Sequence, residues 1–416
     1  MDALASIHPV PAECLRDGVL APFIPAYSRY LDERRYAAGT VRIYVYCVAH
    51  FARWIRRSRT SVRELSNDVV QRFLDEHLPR CTCPPQLHRS RHSHRASLRH
   101  LLVVLDDAGV LSNSHEPSVI EDELNHFDEH MAHARGLAQS TRTKCVNIVR
   151  TLLQQTCGAS QDSLTLPFAD ELQRFINLKI QHLKPSSAQS VASALRGYMK
   201  FRVSSCGDSV AHLLPLIASP AHWRLAPMPQ TLSKAEVTKL LESFRPDLPS
   251  RLRAYAMVRC LVDLGLRTGE VVGLTLDDID WRIGTIQIGK NKSRRVHVLP
   301  LPYTTGSAIA EYVRSERPQT ANRRIFVRHV APADAPIKAG VVSQVVLQAY
   351  QRCELPYTRA HLLRNTMAAR LLGAGGTLKE VADVLRHRDL DTSQIYAKVD
   401  TVGLSAVALP WPGSTA

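Results

Sequence analysis

Two arginine-containing motifs in the second half of the chain have the residue types needed to bind a phosphate. Arg267 and Glu270 are three residues apart, as are His361 and Arg364, so each pair would lie on one face of a helix. A guanidinium held by a packed helix suits bidentate contact with phosphate oxygens. Taken singly, an Arg-Glu pair is usually a solvated ion pair and a helical histidine is usually a core residue. The two motifs indicate a site only if they act on the same group.

Tyr396 is a candidate nucleophile for that phosphate. It follows His387 by nine residues and comes just after a natural helix cap at Asp391 or Thr392. A single tyrosine is nearly always a packing residue. Its value lies in the company that it keeps, since the two arginine motifs and a further histidine precede it in the same part of the chain.

The order of these residues resembles the tyrosine recombinase, or phage integrase, family over roughly residues 231–412. The family's catalytic positions are matched in order by six residues: Arg267, Lys290, His361, Arg364, His387 and Tyr396. The lysine lies in a basic turn that is similar to the family's general-acid hairpin, and its distance from the first arginine favours Lys290 over Lys292. The resemblance implies strand cleavage and rejoining through a 3′-phosphotyrosyl intermediate.

Each matched residue has an expected role in this reaction. Arg267 and Arg364 would hold the two non-bridging oxygens and take the place of the metal ions of many nucleases, so we expect no metal and no other cofactor. His361 would be a general base or a hydrogen-bond donor to the phosphate. His387 would donate to a phosphate oxygen and pack against Tyr396.

Three positions depart from the commonest family pattern without removing a catalytic group. Asn365 stands where a histidine often follows the second arginine, and Arg386 replaces a usual glycine before the last histidine. Asp263 occupies a position that is often small or polar. Glu270 is interpreted as structural, either orienting Arg267 or capping a helix.

The fold that would position these residues is mainly α, with a small antiparallel β-sheet (α+β). We predict a helical DNA-binding domain (residues 1–115), a core-binding helical domain (116–218), a linker (219–230) and a mostly helical catalytic domain with its tail (231–416). The helical domains resemble SAM-like bundles. Ser233 and Glu236 form a capping box that opens the catalytic domain. Two short strands are predicted at residues 284–289 and 295–299.

The two segments before the linker have a similar order of apolar helices, with Thr40 and Ser140 or Thr141 as expected N-caps. This likeness has two explanations: a true duplication, or a chance similarity between amphipathic helices. The short apolar pattern near the end of the chain, residues 399–412, is expected to dock on a neighbouring protomer or on its own domain.

Charge and composition favour a polyanionic partner. The chain of 416 residues carries a formal net charge of +15, and basic side chains that displace counterions supply much of the affinity for DNA. The N-terminal sequence lacks the pattern of a signal peptide and no long apolar run follows, so we expect a cytoplasmic protein with no membrane contact. The nine scattered cysteines indicate reduced thiols.

A weaker group of Cys and His residues lies in the first segment. Cys81 and Cys83 are followed by four histidines: His88, His92, His94 and His100. Thiolate and imidazole suit zinc, but the irregular spacing lacks the paired cysteines of structural zinc sites. We therefore favour a basic loop that touches DNA phosphates.

The resemblance implies a site-specific DNA recombinase that serves a mobile element by integration, excision or transposition. Its expected partners are double-stranded DNA, further copies of the chain in a tetramer on synapsed DNA, and partner recombinases. Two alternatives remain: a catalytically silent accessory protein of the same fold, and a topoisomerase with type IB chemistry. The intact set of catalytic residues argues against the first, and two helical domains ahead of the catalytic one favour recombination over the second.

Overall fold

The computed structural model describes most of the chain, in eight segments. They are residues 9–83, 90–111, 119–156, 169–218, 228–289, 296–333, 335–387 and 393–398. Contacts between Cα atoms divide the chain into two compact units, Met1–Ser112 with Pro227–Ala416, and Asn113–Ala226. Lys290, the cap positions Asp391 and Thr392, and the predicted tail lie outside the described residues. The predicted domain boundaries stay predictions.

The first segment folds into a small helical bundle around its own core. Its helices are α1 (Pro9–Arg16), α2 (Ile24–Glu33), α3 (Ala38–Ser58), α4 (Asn67–Arg72) and α5 (Arg91–Asp107). A π-helical turn, Phe73–His77, continues α4. The three- and four-residue spacing of apolar side chains on α3 buries Val48, Phe51 and Ile55 completely.

The described residues of the second unit form four helices and an irregular helical segment. They are α6 (Val119–His133), α7 (Gln139–Thr156), α8 (Ala169–Ile180), α9 (Pro185–Cys206) and the 3-10 segment Gly207–Leu216. Phe127, Leu152, Phe175 and Tyr198 meet in a separate core. Each of the four helices thus contributes an aromatic or leucine side chain to this core and buries one of its faces there.

The predicted N-caps of both bundles are wrong. Helix α3 begins at Ala38, and the carbonyl of Ala37 accepts from the amide of Thr40 at 2.8 Å, so Thr40 lies inside the first turn. Helix α7 begins at Gln139, which places Ser140 and Thr141 inside it as well. Water can satisfy the amides of an exposed first turn, so a capping side chain is not obligatory there.

The segment after residue 228 is mostly helical with one small sheet, as predicted. Its helices are α10 (Lys234–Glu242), α11 (Arg251–Leu264), α12 (Thr268–Gly273), α13 (Tyr303–Ser315), α14 (Ala339–Arg352), α15 (His361–Gly373), α16 (Leu378–Val384) and α17 (Gln394–Ala397). The capping box is confirmed, since Ser233 Oγ accepts from the Glu236 amide and the Glu236 carboxylate accepts from the Ser233 amide.

The sheet has three antiparallel strands in the order β1 (Ile279–Asp280), β2 (Thr285–Ile288) and β3 (His297–Pro300). The two predicted strands are β2 and β3, paired with Ile286 opposite Leu299. The two-residue strand β1 was not predicted, because so short a segment has no alternating pattern to recognise. Buried Ile286 and Ile288 attach the sheet to the helical core.

Gly265 makes the turn between α11 and α12 that presents the first arginine motif. It ends α11 with a φ of +57°, and a Cβ atom there would lie 2.8 Å from Leu385 Cδ2. Only glycine adopts this backbone conformation without strain and leaves room for Leu385 to lie so close to the turn.

In the described part of the chain, no helix has the length and apolar character needed to cross a membrane.

We expect Gly265→Ala to destabilise the protein by at least about 1–2 kcal/mol, because the side chain strains the left-handed backbone and also meets Leu385. Urea unfolding followed by circular dichroism measures the change. Gly340→Ala is the matched control, since Gly340 lies in α14 with nothing within 4 Å of the added carbon. Equal stability of the two variants would contradict the described turn.

Candidate active site

A buried carboxylate organises the start of α12. Glu270 Oε2 accepts a hydrogen bond from the Arg267 backbone amide at 2.8 Å, and Oε1 pairs with the Arg267 guanidinium at 2.7 Å. Oε2 also pairs with Arg386 Nη2 at 2.8 Å. The Glu270 side chain is 2% exposed and that of Arg386 is 3% exposed, whereas that of Arg267 is 44% exposed. The predicted structural role of Glu270 is confirmed.

Two guanidinium groups keep this carboxylate ionised. Burial alone would raise the pKa of Glu270, but the charge of Arg386 and the hydrogen bonds from Arg267 outweigh burial and hold the pKa below its usual range. The carboxylate therefore remains a fixed negative charge at neutral pH. It orients Arg267 without being an acid or base.

Arg386 occupies a backbone position that suits glycine. Its φ is +56°, in the left-handed region, which gives a physical reason for the glycine common at this point of the family pattern. The arginine side chain turns inward, where Nη1 donates to the Val384 carbonyl at 2.7 Å and Nη2 pairs with Glu270. In this chain the residue with the strained backbone, Arg386, therefore also forms a buried ion pair with Glu270.

Arg364 lies at the centre of the site and is 1% exposed. Its Nη1 donates to the Gly265 carbonyl and its Nη2 donates to the Leu385 carbonyl, which connects α15 to the turns after α11 and α16. Burial, together with the nearby charges of Arg267 and Arg386, lowers the pKa of Arg364 to about 9. Its Nε is a buried donor with no acceptor among the described residues.

Tyr396 is buried on α17, which contacts α15 and α16. Its ring is 2% exposed, and its hydroxyl donates to Asn365 Oδ1 at 3.0 Å. The His387 ring lies parallel to the tyrosine ring, with an interplanar angle of 9° and centroids 6.2 Å apart. Ser393 Oγ is 2.6 Å from His387 Nδ1 and fixes the imidazole. The predicted packing of His387 against Tyr396 is confirmed.

Burial and nearby positive charges shift the pKa values of Tyr396, His387 and His361. Burial raises the pKa of Tyr396, while the positive charges of Arg364 and Arg267 act in the opposite direction. Burial and the charges of Arg364 and Arg267 lower the pKa of His387 to about 4. The same three causes lower the pKa of His361, whose side chain retains an exposed edge. At neutral pH the phenol and both imidazoles are therefore uncharged.

The structure brings together five of the six predicted site residues: Arg267, His361, Arg364, His387 and Tyr396. Lys290 lies outside the described residues.

The sequence did not reveal a role for Asn365 or Arg386, although both positions depart from the family pattern. Those departures were the available signal, since Asn365 contacts Tyr396 and Arg386 contacts Glu270. Asp263, the third departure, pairs instead with Arg259 at 2.8 Å and accepts from Thr305.

Comparison with known proteins identifies the family. The model of the phage integrase family matches residues 230–402. The integrase/recombinase named y4rA from Sinorhizobium fredii (strain NBRC 101917 / NGR234) is 32% identical over 403 residues, which cover 95% of this chain and 96% of the relative. Tyrosine recombinase XerC from Roseiflexus sp. (strain RS-1) is 28% identical, over 68% of this chain and 90% of the relative.

Solved structures share the fold. The XerH site-specific recombinase, in a post-cleavage complex with palindromic difH substrate, superimposes with a TM-score of 0.53 at 18% identity, covering 68% of this chain and 93% of that one. The Tn1549 transposon integrase in complex with a circular intermediate DNA gives a TM-score of 0.50 at 16% identity, covering 68% and 99%. The chain belongs to the phage integrase family of tyrosine recombinases.

We expect Glu270→Ala to lower the free energy of unfolding by about 3–5 kcal/mol at pH 7, because it leaves the Arg386 guanidinium buried without its carboxylate. Urea unfolding measures the loss, and Glu242→Ala on the exposed face of α10 is the control.

The same variant has a predictable pH dependence. Because folding lowers the pKa of Glu270, the ionised carboxylate stabilises the wild type fully above the unfolded-state pKa of about 4.3, and this contribution is lost as the pH falls through the folded-state pKa. The difference between wild type and Glu270→Ala should therefore shrink below about pH 4. A difference that stays constant or grows on acidification would contradict the ion pair.

Proposed function

We propose that this protein is a site-specific DNA recombinase in which Tyr396 attacks the scissile phosphate. The observation that carries the proposal is the position of the Tyr396 hydroxyl, which donates at 3.0 Å to Asn365, the residue that follows Arg364 on α15. The positive charges of Arg364 and Arg267 oppose the rise in its pKa that burial causes. Phosphoryl transfer by a phenol requires this combination of nucleophile and positive charge. The membership in the tyrosine recombinase family supports the same chemistry.

The two arginines would hold the phosphate in different ways. Arg267 is half-exposed and can reach a non-bridging oxygen while Glu270 keeps its guanidinium oriented. Arg364 is buried, and its Nε donor has no acceptor among the described residues, so a second phosphate oxygen would satisfy it. Charge-assisted hydrogen bonds in a site shielded from water stabilise the extra negative charge of a pentacoordinate phosphorus.

The nucleophile must move before it can react. Its ring is buried and its proton is held by Asn365, so the hydroxyl has to leave this partner to reach DNA. The helix that carries it, α17, has only four residues and contacts α15 and α16. We infer that DNA binding draws Tyr396 out of this buried position. The uncharged imidazole of His361 then accepts the phenolic proton.

Bond changes in the cleavage step balance without a cofactor. A bond forms between Tyr396 Oη and phosphorus as the bond from phosphorus to the 5′ oxygen breaks. The leaving oxygen takes a proton from Lys290, the general acid that the family resemblance indicates. The phosphotyrosine conserves the bond energy, so a 5′ hydroxyl from another strand can reverse the step and rejoin the DNA.

Double-stranded DNA is the proposed partner, and strand exchange is proposed to take place in a homotetramer. The net charge of +15 supports binding to a polyanion. A lambda integrase tetramer bound to a Holliday junction has the same fold, with a TM-score of 0.51 at 16% identity. Because transposon integrases also share the fold, we propose a mobile element as the substrate, with partner recombinases assisting.

We expect Tyr396→Phe to abolish covalent attachment to DNA, since the phenylalanine ring preserves packing but has no nucleophilic oxygen. Wild-type protein incubated with a library of nicked duplexes of randomised sequence should yield adducts that survive SDS, and sequencing them reports the target. Tyr357→Phe is the matched control, because the hydroxyl of Tyr357 donates to Glu236 and contacts none of the predicted site residues in the described part of the chain. Adducts at wild-type yield in the Tyr396→Phe protein would overturn the assignment of the nucleophile.

Lys290→Ala should slow cleavage by about 10²–10⁴-fold, the contribution typical of a general acid. A DNA substrate with sulfur in place of the bridging 5′ oxygen should restore the rate, because a thiolate leaves without a proton. Lys292→Ala is the control and should cleave both substrates at the wild-type rate. An equal defect of Lys290→Ala on both substrates would assign this lysine to binding instead.

A further inference from the structure

Four potential metal ligands meet at one end of the first bundle, far along the chain from the Tyr396 chemistry. His50 lies on α3, His77 ends the π-helical turn, and Cys81 and Cys83 follow within six residues. One ligand atom from each lies within 4.8 Å of all the others. Neither cysteine forms a disulfide with another described residue, and Cys81 is only 9% exposed.

The distances between these atoms match a tetrahedral zinc site. His50 Nε2 and His77 Nε2 are 3.3 Å apart, His50 Nε2 and Cys81 Sγ are 3.2 Å apart, and His77 Nε2 and Cys83 Sγ are 3.8 Å apart. Zinc bonds of about 2.0–2.1 Å to nitrogen and about 2.3 Å to sulfur, at tetrahedral angles, place two nitrogens about 3.3 Å apart and a nitrogen and a sulfur about 3.6 Å apart.

A chain of hydrogen bonds behind His50 prepares its Nε2 to bind a metal. His94 Nδ1 is 3.0 Å from the Ser90 carbonyl, which can only accept, so Nδ1 must donate. With Nδ1 as the donor nitrogen of the buried His94 ring, Nε2 is the acceptor nitrogen, and it receives a hydrogen bond from His50 Nδ1 at 3.2 Å. This leaves the lone pair of His50 Nε2 directed at Cys81 and His77. Zinc-binding histidines are commonly supported in this way.

We propose that His50, His77, Cys81 and Cys83 bind one structural zinc ion. Two thiolates and two imidazoles are a ligand set that favours zinc. With four protein ligands the ion would have no open position for a substrate, so its role is structural. Arg57 Nη1 lies 3.9 Å from Cys83 Sγ and can support the thiolate charge.

The proposed zinc ligands differ from those that the sequence spacing indicated. The two cysteines were grouped with downstream histidines, and a DNA-contacting loop without a metal was expected. His100 is bound by the hydroxyls of Tyr30 and Tyr36, His92 is exposed on α5, and His94 supports His50. His88 lies outside the described residues. Two histidines upstream of the cysteines supply the nitrogen ligands instead.

The zinc ion would attach the segment that follows the π-helical turn to α3. Small bundles bury limited apolar surface, and a metal that joins distant ligands adds stability that the core cannot supply. Since the unfolded chain does not hold these ligands together, the binding energy of zinc stabilises the folded bundle.

The decisive experiment measures metal in the full-length wild-type protein. Mass spectrometry of the purified chain should find one zinc per chain, and removal by a strong chelator should lower the thermal unfolding midpoint. Co²⁺ added to the chelated protein should give the visible bands of tetrahedral cobalt with a thiolate charge-transfer band. Absence of zinc together with absence of this cobalt spectrum would overturn the proposal.

Variants then identify the ligands. Cys83→His retains four ligands and should bind cobalt with about half the thiolate charge-transfer intensity. His94→Ala should weaken zinc binding by about 10- to 100-fold. Cys145→Ser and His92→Ala are controls that should keep one zinc and the full spectrum. An unchanged spectrum in Cys83→His would exclude Cys83 as a ligand, and the outcome is independent of Tyr396 activity.

Discussion

The candidate site depends on one buried carboxylate between two guanidinium groups. Glu270 joins Arg267 to Arg386, and so connects the start of α12 to the turn after α16. Arg364 binds the carbonyls of Gly265 and Leu385 on the same two turns, which places it beside Arg267 despite their repulsion. Isolated buried charges are costly, so each one here is stable only while the others are in place. The left-handed backbone of Arg386 is tolerated within the same network.

The burial of Tyr396 has a functional consequence. A neutral phenol with a raised pKa, stacked on His387 and bound to Asn365, is a poor nucleophile. The protein thus holds the guanidinium groups of Arg267 and Arg364 in place while the proposed nucleophile stays covered. Coupling exposure of the tyrosine to DNA binding would prevent cleavage until a substrate and its partner subunits are assembled.

The helical fold and the two longer strands could be predicted from the sequence, as could five residues that the structure brings together, because periodicity and motif spacing are local properties. The sequence did not predict that Asn365 binds the tyrosine hydroxyl or that Arg386 pairs with Glu270, since both contacts join segments distant in the chain. The helix starts near Thr40 and Ser140 were misplaced because solvent can replace a cap. The grouping of His50 and His77 with the two cysteines depends on tertiary packing and has no sequence spacing that would reveal it.

The most direct test of the central claim is the single-turnover cleavage rate of Glu270→Gln, measured where circular dichroism shows the variant fully folded. This substitution keeps the shape of the side chain and removes its charge, so Arg267 loses the charged partner that orients it while the exposed residues of the chain are unchanged. Misplacement of a catalytic group by about 1 Å can slow a reaction by about 10²-fold, and we expect a loss approaching that size with nearly unchanged DNA affinity. A folded Glu270→Gln protein that cleaves at the wild-type rate would contradict the claim that this carboxylate positions the catalytic arginines.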